Sequence, residues 1–132
     1  MAQTPQALIL FAHGARDPRW AEPMERIRQI LRQRTDPAVQ IHLAFLELMS
    51  PSLPQLVATL AAEQIRQITI VPIFLGQGGH VRRDLPALVR ELESGYGEIE
   101  FHLTGAIGES ELVLEAIAGV CADYLENPGN KF

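Results

Sequence analysis

Ile68–Asp84 reads ITIVPIFLGQGGHVRRD. Ile70–Leu75 is an unbroken apolar run, the signature of a strand buried on both faces. The run stops in Gly76-Gln77-Gly78-Gly79, and His80, Arg82, Arg83 and Asp84 follow. Asp84 is the expected N-cap of a helix with Pro86 in its first turn and Leu85, Leu88, Val89 and Leu92 on its inner face. Pro72 argues against a central strand, because proline lacks the N–H that a ladder uses. A bulge or a lost ladder bond is expected there. Ala7–Asp17, ALILFAHGARD, repeats the pattern: an apolar run, then His13, Gly14, Arg16 and Asp17. Two strands of central character each deliver a histidine at their carboxyl end.

The segments around these two complete an alternating pattern. Asp17-Pro18 reads as a helix start, and Pro23 divides it: either the first turn stands apart or the helix proper begins near Glu22. That helix runs to about Arg34, with Met24, Ile27, Ile30 and Leu31 at helical spacing. Val39–Leu46 alternates, setting Ile41, Leu43 and Phe45 against Gln40 and His42, as in a half-exposed strand. Glu47 follows it directly. Ser50-Pro51-Ser52 opens a second helix with Leu53, Leu56, Val57 and Leu60 inward, ending near Glu63. The third strand spans Arg66–Leu75, and Gly95 and Gly97 end the helix after it. Glu98–Leu103 alternates again. Glu109–Leu125 is the last helix, with Leu112, Ala116, Val120 and Leu125 among its inward candidates. Residues 127–132 read as a frayed tail.

Four strands alternating with four helices imply an α/β fold, three-layered, with a parallel sheet between helices. The doubly buried strands, one and three, belong in the centre, and the alternating ones, two and four, at the edges. The order 2-1-3-4 satisfies both, as in flavodoxin-like folds. Winding then reverses between strands one and three, and ligands of open α/β sheets bind beyond the carboxyl ends of the strands at that point. His13, His80 and Glu47 are all expected on that rim.

The 132 residues suit one domain, 1–132, with its core at about 7–125. A net charge of −5 argues against a general nucleic-acid binder. The single cysteine, Cys121, precludes a disulfide within the chain, points to a reducing compartment, and reads as a small buried hydrophobe. No apolar run is long enough to span a membrane, and MAQTPQ has no basic segment of a signal peptide, so the cytoplasm is the expected location.

Neutral imidazole is both a common metal ligand and a usable base. Two histidines with a glutamate can therefore hold a metal or move protons. Arg16, Arg82 and Arg83 would make the rim locally basic and suited to an anionic ligand. Gly76, Gly78 and Gly79 lack the Lys-Ser/Thr of a phosphate loop. They are read instead as letting a bulky, flat ligand approach the backbone. His42 and His102 are read as surface residues, and Trp20 as a partial pocket cover or a packing residue.

Three segments, LILFAHGARDP (Leu8–Pro18), AFLELMSPSLPQLV (Ala44–Val57) and VPIFLGQGGHVRRDLPALV (Val71–Val89), resemble the small, single-domain sirohydrochlorin chelatases, the CbiX-like branch of the class II tetrapyrrole chelatases. Ala15 departs from the serine that often follows the His-Gly pair in that family. The resemblance implies ATP-independent insertion of a divalent metal into sirohydrochlorin, a tetrapyrrole bearing eight carboxylates. It implies metal-binding and catalytic roles for His13 and His80, with Glu47 supporting them. Arg16, Arg82, Arg83, Gly78 and Gly79 would meet the substrate. No tightly bound cofactor is implied, and Co²⁺, Fe²⁺ or Ni²⁺ would enter as a substrate, cobalt being preferred. Larger relatives face two such lobes across a cleft, so the resemblance implies a homodimer. A histidine phosphatase would need arginine where Ala12 stands. A non-catalytic metal or tetrapyrrole carrier would share every one of these residues.

Overall fold

The structure is a computed structural model that describes residues 4–129. Its elements are β1 (Gln6–Ala12), α1 (Glu22–Arg34), β2 (Gln40–Phe45), α2 (Leu53–Ala62), β3 (Gln67–Pro72), α3 (Gly79–Gly95), β4 (Glu100–Leu103) and α4 (Glu111–Glu126). Short 3₁₀ turns, Pro18–Ala21 and Ile107–Glu109, precede α1 and α4. All pairings are parallel and the order is β2-β1-β3-β4, as expected. The proposed tail lies partly outside the described residues.

One face of the sheet carries Ala7, Ile9, Phe11, Ile68 and Ile70, and α2 and α3 cover it with Leu53, Val57, Leu60, Leu85 and Val89. Over β1 and β2 the other face is closed by α1, whose Met24 packs with Leu10, Leu43 and Phe45. Side-chain caps mark two element starts. Ser52 and Gln55 form a reciprocal capping box on α2. Asp17 caps the turn before α1, so both options for that segment hold: the first turn stands apart and the helix proper begins at Glu22.

Several expectations need correction. Strand β3 ends at Pro72, short of Leu75, and no bulge interrupts its register with β1. Ile73 N donates to Phe11 O at 2.7 Å, on the β1 side, whereas Thr104 N donates to Ile70 O, on the β4 side. Pro72 shares Ile70's parity, so its missing donor faces β4 just where β4 has ended. Helix α3 begins at Gly79, capped by Gly78, not at Asp84, and Pro86 lies inside it. Val81 extends the apolar stripe of Leu85, Val89 and Leu92 one turn backward, and packing on the core outweighs the local start signal.

The largest correction concerns α4. It buries none of its residues, and Leu112 and Leu125 are 78% and 86% exposed. Ala116, Val120 and Cys121 are exposed as well. On the second face of β3, Thr69 and Val71 are only half-buried. His42 is half-buried beside Gln40, not a free surface residue, whereas His102 is exposed.

Candidate functional site

Backbone docking at the carboxyl ends of β1 and β2 brings His13 and Glu47 together. Leu46 N donates to Ala12 O at 2.8 Å, carrying the β1–β2 pairing one residue past the strands. Gly14 then passes so close to the next loop that a Cβ there would lie 1.8 Å from Glu47 O and 3.1 Å from Met49 Cγ. Only glycine fits this approach. The loop itself places Leu48 at φ 67°, a left-handed conformation unusual for a bulky residue, and Met49 N donates to Glu47 O.

His13 Nδ1 lies 3.0 Å from Glu47 Oε1. A carboxylate only accepts, so this contact takes its proton from Nδ1, and in the neutral ring Nε2 keeps a free lone pair. Two further contacts hold His13, one on its backbone and one on its ring. Trp20 Nε1 donates to the His13 carbonyl at 2.7 Å, and the Phe74 ring lies 4.8 Å from the imidazole, centroid to centroid. Both partners stay about half exposed, at 47% and 44%, so the pair is open to an incoming ligand. Trp20 lines a cavity of about 250 Å³ with His13, Pro23, Met24 and Ile73.

His80 occupies the first turn of α3, on the same rim but in a different cavity. That cavity, of about 180 Å³, is lined by Phe11, Leu46, His80, Val81, Asp84, Leu85 and Leu88. Among the described residues no cluster of three His, Cys, Asp or Glu side chains is arranged to hold a metal ion. Within one chain, then, His13 and Glu47 are joined and His80 stands apart.

The arginines differ in what occupies them. Arg82 Nη2 lies 3.8 Å from Glu109, and Arg83 Nε donates to Gly79 O at 3.3 Å. Arg16 is exposed. Arg19 is engaged by Asp17, with contacts of 2.7–3.1 Å to both carboxylate oxygens. The guanidinium hydrogen bond holds the Asp17 carboxyl below its ordinary range and raises Arg19. Gly76, Gly78 and Gly79 have open space where a Cβ would stand. The sequence reading passed over Phe74, Glu109 and the close approach at Gly14. Only the last left a signal, the glycine directly after the histidine.

The CbiX family profile matches residues 7–123. This chain belongs to the CbiX family. A relative, the sirohydrochlorin cobaltochelatase of Methanococcus aeolicus, is 30% identical over 67% of this chain and 61% of its own length. Such archaeal relatives are matched over 56–63% of their length, so this chain spans roughly three-fifths of each. Among solved structures, a protein of Marinobacter aquaeolei VT8 described as a cobalamin (vitamin B12) biosynthesis CbiX protein superposes with a TM-score of 0.80 and 33% identity. That match covers 93% of this chain and 99% of that one. The sirohydrochlorin chelatase SirB of Bacillus subtilis subspecies spizizenii, solved in complex with cobalt, shares the fold. Its TM-score is 0.73 at 23% identity, over 89% of this chain and 50% of SirB.

Proposed function

We propose that this CbiX chain inserts a divalent metal, cobalt first among the candidates, into sirohydrochlorin. The observation that carries this reading is the Glu47–His13 contact of 3.0 Å. A carboxylate on one imidazole nitrogen fixes the tautomer and raises the basicity of the other, the usual support of a metal-ligating histidine. His13 Nε2 receives the incoming Co²⁺, and His80 is the second ligand. The metal is a substrate and must leave for the macrocycle, so a sparse, half-exposed donor set suits it better than a closed cage. The macrocycle also loses two pyrrole protons; His13 Nε2 takes one once the metal has left it for the ring, and the His80 imidazole, vacated in the same way, takes the other. Fe²⁺ and Ni²⁺ use the same donors, so the site chemistry alone does not choose between cobalamin and siroheme as the product's destination.

Substrate carboxylates meet Arg16, Arg82 and Arg83, with Glu109 giving up Arg82 as they arrive. Open space at Gly78 and Gly79 admits the ring edge. The cavities beside His13 and His80, about 250 and 180 Å³, are each below the roughly 300–1,000 Å³ of ordinary ligand pockets. A tetrapyrrole needs a further wall, and a second copy of the chain supplies it: the working form is a homodimer. No helix among the described residues is long and apolar enough to cross a membrane, and we place the enzyme in the cytoplasm. The test is turnover: metal-free protein, sirohydrochlorin and Co²⁺, followed by absorbance. Acceleration over the spontaneous reaction is expected, and its absence leaves a carrier.

A further inference from the structure

The fold leaves Asp84 without a role. In sequence it reads as a helix start, yet Gly78 stands at the cap and α3 begins at Gly79. Asp84 therefore lies in the second turn, beyond the free N–H groups that a capping carboxylate meets. Aspartate is also a poor residue for a helix interior. Among the described residues, no hydrogen bond or ion pair engages its carboxylate. The arginines just before it are turned elsewhere, Arg82 to Glu109 and Arg83 to Gly79 O. Among the described residues the His80 ring has no hydrogen-bond partner either.

These two groups are neighbours. They stand one turn apart on α3, at the i, i+4 spacing that sets side chains on one face. Both line the cavity of about 180 Å³, and the rest of its wall, Phe11, Leu46, Val81, Leu85 and Leu88, is apolar. Neither has another polar side chain of that wall to turn to. Helical side chains lean toward the N-terminus of their helix, so a carboxylate at position 84 is carried back over the turn that holds His80. Both residues are exposed, and a change of rotamer is enough to join them. On the other side of the rim, strand docking brings Glu47 to His13 at 3.0 Å. On α3, helical spacing supplies the same pair of groups.

We propose that Asp84 is the positioning residue of His80. Its carboxylate accepts from His80 Nδ1, the ring nitrogen nearer the backbone, and the lone pair of Nε2 is left turned outward for a metal ion. An unassisted imidazole favours the opposite tautomer, with its proton on Nε2. The inference rests on the reading of His80 as a metal ligand and deepens it: each histidine has a carboxylate of its own.

The tautomer is measured first, in metal-free protein at about pH 8, where an ordinary imidazole is neutral. Long-range ¹H–¹⁵N correlation of the imidazole rings reads it, with His80→Ala assigning the signal. Wild type is expected with the His80 proton on Nδ1, Asp84→Ala with the proton moved to Nε2, and Asp84→Glu with the wild-type tautomer regained. The His13 signal should be the same in all three. Melting of Asp84→Ala should not fall, because alanine is the better helix former. Affinity for Co²⁺ alone, read from its visible absorption, should drop about 10–100-fold in Asp84→Ala. The same change made in His80→Ala should cost nothing more. A wild-type His80 with its proton on Nε2 overturns the proposal, as does a tautomer that Asp84→Ala leaves unchanged. So does a loss of Co²⁺ affinity that persists without His80, since Asp84 would then meet the metal itself. None of these readouts needs turnover. A fixed tautomer in a protein that inserts no cobalt would keep the role of Asp84 and remove the chelatase reading, whereas cobalt insertion with His80 in the other tautomer would do the reverse.

Discussion

His13 and Glu47 lie just past the ends of separate strands, brought together by backbone docking, and both are exposed, so their side chains can be altered without touching the core. His13→Ala should lower cobalt insertion at least about 100-fold, and Glu47→Gln about 10–100-fold, as for other partners of metal-ligating histidines. Thermal melts should stay close to wild type in both; equal insertion rates in wild type and His13→Ala would remove the site. The glycines separate two roles. Gly14→Ala drives a Cβ into the Glu47 carbonyl, a backbone clash expected to destabilise by about 1–3 kcal/mol. Gly79→Ala meets open space on a helical residue and should stabilise by up to about 1 kcal/mol. If that space admits the macrocycle, Gly79→Ala should nonetheless raise KM for sirohydrochlorin, and an unchanged KM would return Gly79 to an ordinary helix start. The histidines and the glutamate were legible because a strand's end announces itself in sequence. Phe74 was not, because it reads as one more apolar residue of the run and gains its meaning only when β3 stops at Pro72 and turns its ring onto His13.

Elements were legible where local chemistry and packing agree. The capping box of α2 is one such place, and Ser52→Ala should cost about 0.5–2 kcal/mol in denaturant unfolding without affecting metal insertion. Helix α3 shows the limit: Asp84 and Pro86 signal a start, but the stripe from Val81 to Leu92 buries one turn more, and burial wins. On β2, His42 carries a titratable group into partial cover. Burial pulls its pKa below the ordinary range, against Glu63, with Arg28 and Arg32 adding to the fall. The fold therefore favours the neutral ring, and the unfolded chain takes up its proton at the higher pH. Stability is full above the unfolded value of about 6.5 and declines as pH falls through the folded one. Between roughly pH 7.5 and 5.5 the melting temperature of wild type should drop more than that of His42→Gln. Parallel curves would mean that the imidazole is solvated in the fold.

For the whole molecule, strand order followed from burial alone: β1 and β3 were placed in the centre by their apolar runs, and β2 and β4 at the edges by alternation. The position of α4 did not follow: its apolar residues predicted a helix packed on the sheet, and the helix buries none of them. The proposed second copy bears on activity. Each chain keeps its own core beneath α2 and α3, so dissociation should leave it folded, while the His13 and His80 cavities of a lone chain are too small to enclose a tetrapyrrole. Turnover and folding should therefore separate on dilution. Above the dimer Kd, cobalt insertion per chain should be constant. Well below it, the dimer fraction falls in proportion to concentration, so a tenfold dilution should lower insertion per chain about tenfold, or the total rate about 100-fold. Far-UV circular dichroism, read across the same range, should not change. Loss of ellipticity in step with activity would mean that the second copy is needed to fold the chain. Constant insertion per chain down to concentrations where scattering finds only monomer would mean that one rim, with His13, Glu47 and His80 of a single chain, performs the reaction unaided.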